Sequence, residues 1–293
     1  MKKNNKSLIS RLWSYQWERI PLLLITVVAG VNVGVVSTFS NQALFPRFFA
    51  AVTIIVLYMI QIRASDEKKD FEHDNKFHKT RPVQRGLVTL DELAIVNKAS
   101  IALQLAIYAS FLSLPILLVG LASQTYAYVT RKEFFIRDWL RPRFHMYNGL
   151  HYVQLLILQL GVIVIIDPVS IGWFVLLLYA VAHASLMEIG RKMYSKKEDT
   201  TDDSYSAQFG FKGATYSLIA ASLISITFSW YLLDHLGKAG LSLILPAAVL
   251  FFVFYRGFKY SLQPNKNNSQ LVQGSAALMY VSSMASLIIG ALI

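Results

Sequence analysis

The chain has 293 residues, of which 55% are hydrophobic and only 15% charged, and its mean hydropathy is +0.45. That composition excludes an ordinary soluble domain and points to a membrane protein. A formal net charge of +11 would suit nucleic acid, but basic residues gathered beside apolar runs mark topology and anionic-lipid contacts instead, so no nucleic-acid partner is expected. The absence of cysteine removes disulfides, thiolate catalysis and Cys-ligated metal centres.

Lys2, Lys3, Lys6 and Arg11 precede an uncharged run at 20–39 that is longer than a signal-peptide core and lacks a small-residue cleavage site, so it reads as a retained span. A helix needs roughly 20 mainly apolar residues to cross the hydrocarbon. Further runs of that kind lie at 44–63, 92–111, 114–131, 146–166, 170–188, 213–233, 239–257 and 270–293. The uncharged stretch 99–130 is too long for one span, and Pro115 with its serine neighbours is where it turns. The expectation is an all-α polytopic protein of about nine transmembrane helices, forming one transmembrane domain over 1–293.

Charge supports the same map independently. With the N-terminus inside, the inner side collects Lys2, Lys3, Lys6, Arg11 and Arg19 of the tail and the loops Arg63 to Arg85, Arg131 to Arg143, Arg191 to Lys212 and Arg256 to Lys266, leaving only Arg47, Lys98 and Lys238 of the 28 Lys and Arg elsewhere. An odd number of spans then puts the C-terminus outside, and a bacterial inner membrane is the expected setting. Two loops, at 64–91 and 189–212, are longer and more charged than the others, and each follows an even-numbered helix.

The first of these reads Asp66-Glu67-Lys68-Lys69-Asp70-Phe71-Glu72-His73-Asp74, then Arg81-Pro82-Val83-Gln84-Arg85-Gly86. If the second helix continues into it, Glu67, Asp70 and Asp74 share one stripe, with Asp66 four residues before Asp70. Like charges so spaced cost a helix about 0.2–0.5 kcal/mol per pair, so something cationic should face them. Magnesium suits such hard oxygen ligands and is commonly completed by substrate phosphates, to which Arg81 and Arg85 could offer forked donors. The second loop holds Glu188, Arg191 and Lys192, then Glu198, Asp199, Asp202 and Asp203, with acids again four apart. Two such clusters on one membrane face could hold metal ions around one diphosphate. Either alone could also be a solvated, charge-mixed connection.

The run D-E-x-x-D-x-x-x-D at 66–74, followed by R-P-x-x-R-G-L-V-T at 81–89, resembles the first signature of the UbiA superfamily of intramembrane prenyltransferases. The nine-helix count and an acidic loop after helix six are also features of that family, so the resemblance spans nearly the whole chain. Asp66 and Glu67 stand where the family usually has Asn and Asp. The second motif departs further, because members often carry D-x-x-x-D at the end of helix six. Here Glu188, Arg191 and Lys192 come first, and the denser acids follow at 198–203.

The resemblance implies a polyprenyl diphosphate held through Mg2+ at the cytoplasmic face, its tail among the helices, and prenyl transfer to an aromatic or other electron-rich acceptor. It implies Asp66, Glu67, Asp70, Asp74, Arg81 and Arg85 as catalytic, with Glu67, Asp70, Asp74, Glu188, Glu198, Asp199, Asp202 and Asp203 as metal ligands. Tyr126, Tyr128, Arg131 and Lys132 occupy the position of a tyrosine and basic residues that the family places after helix four. With Arg191 and Lys192 they would touch diphosphate or acceptor; equally, they could be interfacial belt and anchor residues.

Three further readings remain open. A member that cyclises its own prenyl substrate fits the altered second motif. A transporter fits less well, because acids crowd the loops and the spans are nearly free of charge. A non-catalytic membrane protein is the third. His151 and His183 lie within helices but show no paired spacing for haem, and no P-loop, nucleophile elbow or H-E-x-x-H appears.

Overall fold

Long apolar runs that must satisfy every backbone group without water can only be helices or closed barrels, and the absence of strand-like alternation selects helices. A computed structural model of the chain describes residues 7–41, 44–195, 197, 204–238 and 240–292. Its helices are α1 (Leu8–Arg19), α2 (Leu22–Ser37), α3 (Leu44–Lys69), α4 (Phe71–Phe77), α5 (Leu90–Ser110), α6 (Leu114–Arg131), α7 (Arg137–Leu140), α8 (Phe144–Ile166), α9 (Trp173–Arg191), α10 (Tyr205–His235), α11 (Ile244–Leu262) and α12 (Lys266–Leu292). No strand occurs among the described residues.

Nine of these helices fall on the nine apolar runs, and the chain is an integral membrane protein. Seven helices, α3, α5 and α8 to α12, are each long and apolar enough to cross a membrane, and α1 with α2 forms a pair bent by 60°. The second half of α6 carries Ser123, Gln124 and Thr125, which dilutes its apolar character. Two features differ from the sequence reading. The segment from 64 onward is not loop at first, because α3 stays helical through Lys69. The basic N-terminal tail, read above only for its charge, contains the helix α1.

The chain divides into two compact units. The first comprises Met1–Val33, Ser40–Arg137 and Leu160–Asp167. Within it α3 packs on α5, and α6 packs on both. Its core below the polar end of α3 gathers Tyr15, Ile20, Ala64, Val83, Leu87, Val88 and Leu93. Helix α5 starts sharply because Thr89 accepts from the Glu92 N–H at 3.2 Å while Glu92 accepts from the Thr89 N–H at 2.9 Å. Such a reciprocal cap contributes about 1 kcal/mol. At the other end of this unit, Arg47 donates to the Ile165 carbonyl at 2.6 Å and Ser40 to the Ile166 carbonyl at 2.7 Å, satisfying the end of α8. Arg47 is one of the three basic residues that the charge map left over.

The second unit comprises Gly34–Phe39, Asp138–Gln159 and Pro168–Ile293. Here α9, α10, α11 and α12 pack on one another around Leu186, Met193, Leu218, Val253, Tyr260 and Met279. Buried serines fold their hydroxyls onto their own helices, as in Ser222 to the Leu218 carbonyl at 2.8 Å and Ser286 to the Ser283 carbonyl at 2.7 Å. Small side chains so satisfied let the helices approach closely, the usual route to association where lipid removes the hydrophobic driving force. Gly190 of α9 is the sharpest case: a Cβ added there would stand 2.3 Å from the Ala276 Cβ of α12. That atom is fixed to the backbone and cannot rotate away. Gly190→Ala should therefore lower the thermal midpoint of the purified protein, by an overpacking cost of about 1–3 kcal/mol. Gly149→Ala, whose Cβ would meet nothing within 4 Å, should not.

Candidate functional site

The polar end of α3 is the first candidate. Glu67 is fully buried, a position that a lone carboxylate could not hold in ionised form. It is held by α1: Arg19 Nε donates to Glu67 Oε1 at 2.6 Å, and the Tyr15 hydroxyl donates to the same oxygen at 3.4 Å. Burial and the charge of Glu67 both push the Tyr15 phenol above its ordinary range, which keeps it a donor. Glu67 Oε2 is buried and has no partner.

At Asp70 the helix breaks, with φ −98° and ψ 7°, and α4 begins. The break is mild, because the Asp70 N–H still reaches the Asp66 carbonyl at 2.8 Å and the Asp74 N–H the Asp70 carbonyl at 2.9 Å. Asp74 is again almost wholly buried. Arg81 donates to its Oδ2, and His73 Nδ1 lies 3.5 Å from its Oδ1. The carboxylates expected on one stripe are thus sorted: Glu67 and Asp74 are buried on arginines, while Asp66 and Asp70 stay half-buried. The cations that the spacing demanded are Arg19 and Arg81.

Residues 81–87 fold into a tight turn, with Arg85 N–H bonded to the Arg81 carbonyl at 3.0 Å and Leu87 N–H to the Pro82 carbonyl at 2.8 Å. Gly86 sits at φ +75°, the left-handed region where a side chain would be strained. The turn seats Val83 and Val88 in the core and aims its two arginines at carboxylates. Arg85 forks onto Glu18 of α1 and also donates to the Thr80 carbonyl at 2.8 Å. The fork holds the Glu18 carboxyl below its usual range. Both arginines expected to face phosphate therefore sit on carboxylates in this structure, and a phosphate would have to exchange with those partners.

Histidines enter this site although the sequence reading passed them over. Among the described residues, His73, Asp74 and His78 offer ligand atoms that all lie within 4.8 Å of one another. The signal available was the i, i+4 spacing of Asp74 and His78. Burial first, then the neighbouring Arg81 charge, lowers the His78 pKa below its ordinary value.

Beside this cluster, Gln61 of α3, Gln104 of α5 and Gln124 of α6 close a ring of amide hydrogen bonds at 2.9, 2.8 and 3.0 Å. A pocket of about 360 Å3 opens over the ring, lined in part by Ser65, Asn97, Tyr128 and Arg131. The buried Asn97 Oδ1 has no partner. Arg131 stacks on the Tyr128 ring at 5.2 Å, Tyr126 packs on Phe134 at 5.6 Å, and Lys132 is exposed at the end of α6. A buried acid follows that the sequence reading missed: Glu133 lies 3.7 Å from Lys69 and 3.0 Å from Arg137. Glu133, Phe134 and Phe135 all have positive φ, 49° to 60°, a strained left-handed run that needs such anchors.

In the second unit, the end of α9 places Glu188 against its own basic neighbours. Arg191 forks onto both oxygens, and Lys192 lies 3.2 Å from Oε1. Lys192 is buried, donates to Asn148 Oδ1 at 3.3 Å and lies 5.7 Å from the Phe144 ring centre. Tyr152 and Tyr205 bring their hydroxyls to 3.4 Å in the same unit. Glu198, Asp199, Asp202 and Asp203 lie outside the described residues. The helix histidines turn one ring nitrogen onto their own helices, His151 Nδ1 at 2.8 Å from the Tyr147 carbonyl and His183 Nδ1 at 3.0 Å from that of Tyr179, while the buried His183 Nε2 has no hydrogen-bond partner.

Comparison with known proteins places this architecture. No protein-family model and no curated protein matches the chain. Among solved structures it is similar to a digeranylgeranylglyceryl phosphate synthase, with 15% identity and a TM-score of 0.60 over 97% of this chain and 99% of that one. It is also similar to the apo UbiA homologue of Aeropyrum pernix K1, with 16% identity and a TM-score of 0.56 over 88% and 95% of the two chains. The UbiA homologue of Archaeoglobus fulgidus bound to DMAPP and Mg2+ gives 14% identity and a TM-score of 0.55 over 95% and 99%. At such identities the likeness defines the fold, and the fold is that of the UbiA homologues. The resemblance carried by residues 66–89 therefore holds at the level of architecture.

Two outcomes test this site. Removing Glu67 or Arg19 leaves the other as an unpaired ion, so in an Arg19→Ala, Glu67→Ala double-mutant cycle read by thermal unfolding the coupling should be roughly 1–3 kcal/mol. Stability should also fall on acidification. His78 is held below its ordinary 6.5, so as pH drops through 6.5 the unfolded chain takes up the proton first. Glu18 is likewise held below its ordinary 4.5, and its contribution is present above that pH and lost as pH falls through the depressed value. The thermal midpoint should decline as pH falls below 6.5, and His78→Asn should make that decline shallower.

Proposed function

We propose that the protein transfers a prenyl group from a polyprenyl diphosphate to an electron-rich acceptor within the membrane, in a reaction that needs Mg2+. The observation that carries this reading is the carboxylate-rich end of α3 and the Arg81–Gly86 turn, set in a chain with the UbiA fold. The Archaeoglobus fulgidus homologue of that fold was solved with DMAPP and Mg2+ and with GPP and Mg2+. The donor set fits a hard divalent cation: the carboxylates of Asp66, Glu67, Asp70 and Asp74 offer only oxygen, and Glu67 Oε2 is a buried oxygen without a partner. When bound, Mg2+ would neutralise the diphosphate and stabilise its departure.

The chain's own residues do the rest. Arg81 and Arg85 exchange their carboxylate partners for diphosphate oxygens, trading one anion contact for another. Arg131 and Lys132 add positive charge, and Tyr126 and Tyr128 offer hydroxyl donors to diphosphate or acceptor. In this reading the first cluster lies on the cytoplasmic face, with the N-terminus cytoplasmic and the C-terminus outside. The isoprenoid tail lies among apolar side chains, where burial contributes about 25 cal/mol per Å2. Loss of diphosphate leaves an allylic cation, and capture by the acceptor's electron pair forms the new bond while the acceptor releases a proton.

The test uses purified protein in bilayers with radiolabelled farnesyl or geranylgeranyl diphosphate and a membrane lipid extract as acceptor pool. Diphosphate release should require Mg2+, stop on chelation, and fall at least about 100-fold in Asp70→Ala, a loss of the size expected when charge stabilisation is removed. A single cyclised prenyl product without acceptor would mark a cyclase. No Mg2+-dependent release with any chain length would overturn the reading.

A further inference from the structure

We infer that α1 is a membrane-surface helix: its Ile9, Trp13 and Trp17 stripe beds in the lipid interface while its other edge holds the candidate site in place. The inference concerns a surface and does not depend on the proposed transfer reaction.

Helix α1 has three sectors rather than two. One is buried: Leu12, Tyr15 and Ile20 join the core made with Ala64, Val83, Leu87, Val88 and Leu93. A second is polar, with Ser10 and Glu18 exposed and Ser14 half-buried between them. The third is exposed and apolar. Ile9, Trp13 and Trp17 follow at i, i+4 and i+8, 80%, 62% and 55% exposed, with the two indoles edge to face at 6.0 Å. An ordinary soluble surface has no use for that row, whereas tryptophan beside basic residues is the usual dress of an interfacial helix.

Depth and charge specify the partner. Helix α1 meets α3 at Ala64 and Glu67, where α3 passes from its apolar run into charged residues and so leaves the hydrocarbon. The chain then turns by 60° into the apolar α2, so α1 does not simply prolong a span. The sequence before it supplies Lys2, Lys3 and Lys6, which complement anionic headgroups. These features together fit a lipid surface bearing negative charge.

The consequence reaches the site. Arg19 holds Glu67, Glu18 holds Arg85, and Arg11 holds Glu92 with a second bond to the Leu87 carbonyl at 3.1 Å. All three pairs leave one helix and grip both sides of the Arg81–Gly86 turn. Lipid contact on the Trp stripe presses this clasp closed.

Because the chain lacks cysteine, single-cysteine variants Ile9→Cys and Ser10→Cys can each carry one nitroxide label, in bilayers of phosphatidylcholine and phosphatidylglycerol. The label at 9 should collide with dissolved oxygen and be shielded from a water-soluble nickel complex, and the label at 10 should do the reverse. Equal nickel access at both positions would overturn the inference, as would a label at 9 shielded from both quenchers, which would mean that protein covers the stripe. As a second measurement, Ile9→Glu should speed amide hydrogen exchange over residues 8–19 and 83–90 in these bilayers but not in detergent. Unchanged exchange in bilayers would also count against it.

Discussion

The constraint that organises this protein is the cost of an unpaired charge at the edge of a low-dielectric interior. Glu67 and Asp74 are buried carboxylates, and an arginine, Arg19 or Arg81, lies against each. Those two contacts fix what surrounds them. Arg19 brings α1 onto the end of α3, and Arg81 brings the following turn back onto α4. The break at Asp70, the left-handed Gly86 and the cap at Thr89 are local solutions that make these returns possible within a short length of chain. The same need recurs at the end of α6, where the buried Glu133 is met by Lys69 and Arg137.

Such pairing shapes what the site can do. A cluster of free carboxylates would repel itself and drift, whereas paired ones are held in place at the cost of being already engaged. A ligand that enters must offer each arginine an anion at least as good as the one it leaves. Phosphate oxygens meet that condition, and a cation that takes over the carboxylates completes the exchange. The proposed chemistry is thus compatible with a resting state in which acids and bases neutralise one another. Glu188, bound by Arg191 and Lys192 at the end of α9, has the same character within the second unit.

The fold was legible because hydrocarbon leaves few choices: uncharged runs about 20 residues long must be helices, and Lys and Arg mark their inner ends. Where the reading fell short, the cause was side-chain partnership, which spacing does not encode. Arg19 and Glu18 look like ordinary tail charges until α1 is seen to lie on the motif. Arg81 and Arg85 sit next to one another in the sequence pattern, yet one turns to Asp74 and the other to a glutamate 67 positions away. His73 and His78 were hidden among stronger acidic signals. Glu133 was hidden by its neighbours Arg131 and Lys132, whose charge explained the segment without it. Nor does spacing encode why, across the mild break at Asp70, Glu67 and Asp74 are buried while Asp66 and Asp70 stay half-buried.

The amide ring of Gln61, Gln104 and Gln124 carries a sense of circulation. Each side chain gives a proton to one neighbour and receives one from the other, so no member can turn its amide over alone without setting donor against donor. Reversal demands that all three flip together. Three helices are thereby locked by a vote that must be unanimous, and a change at any one position leaves the other two joined by a single bond, so that what holds three helices together would hold only two.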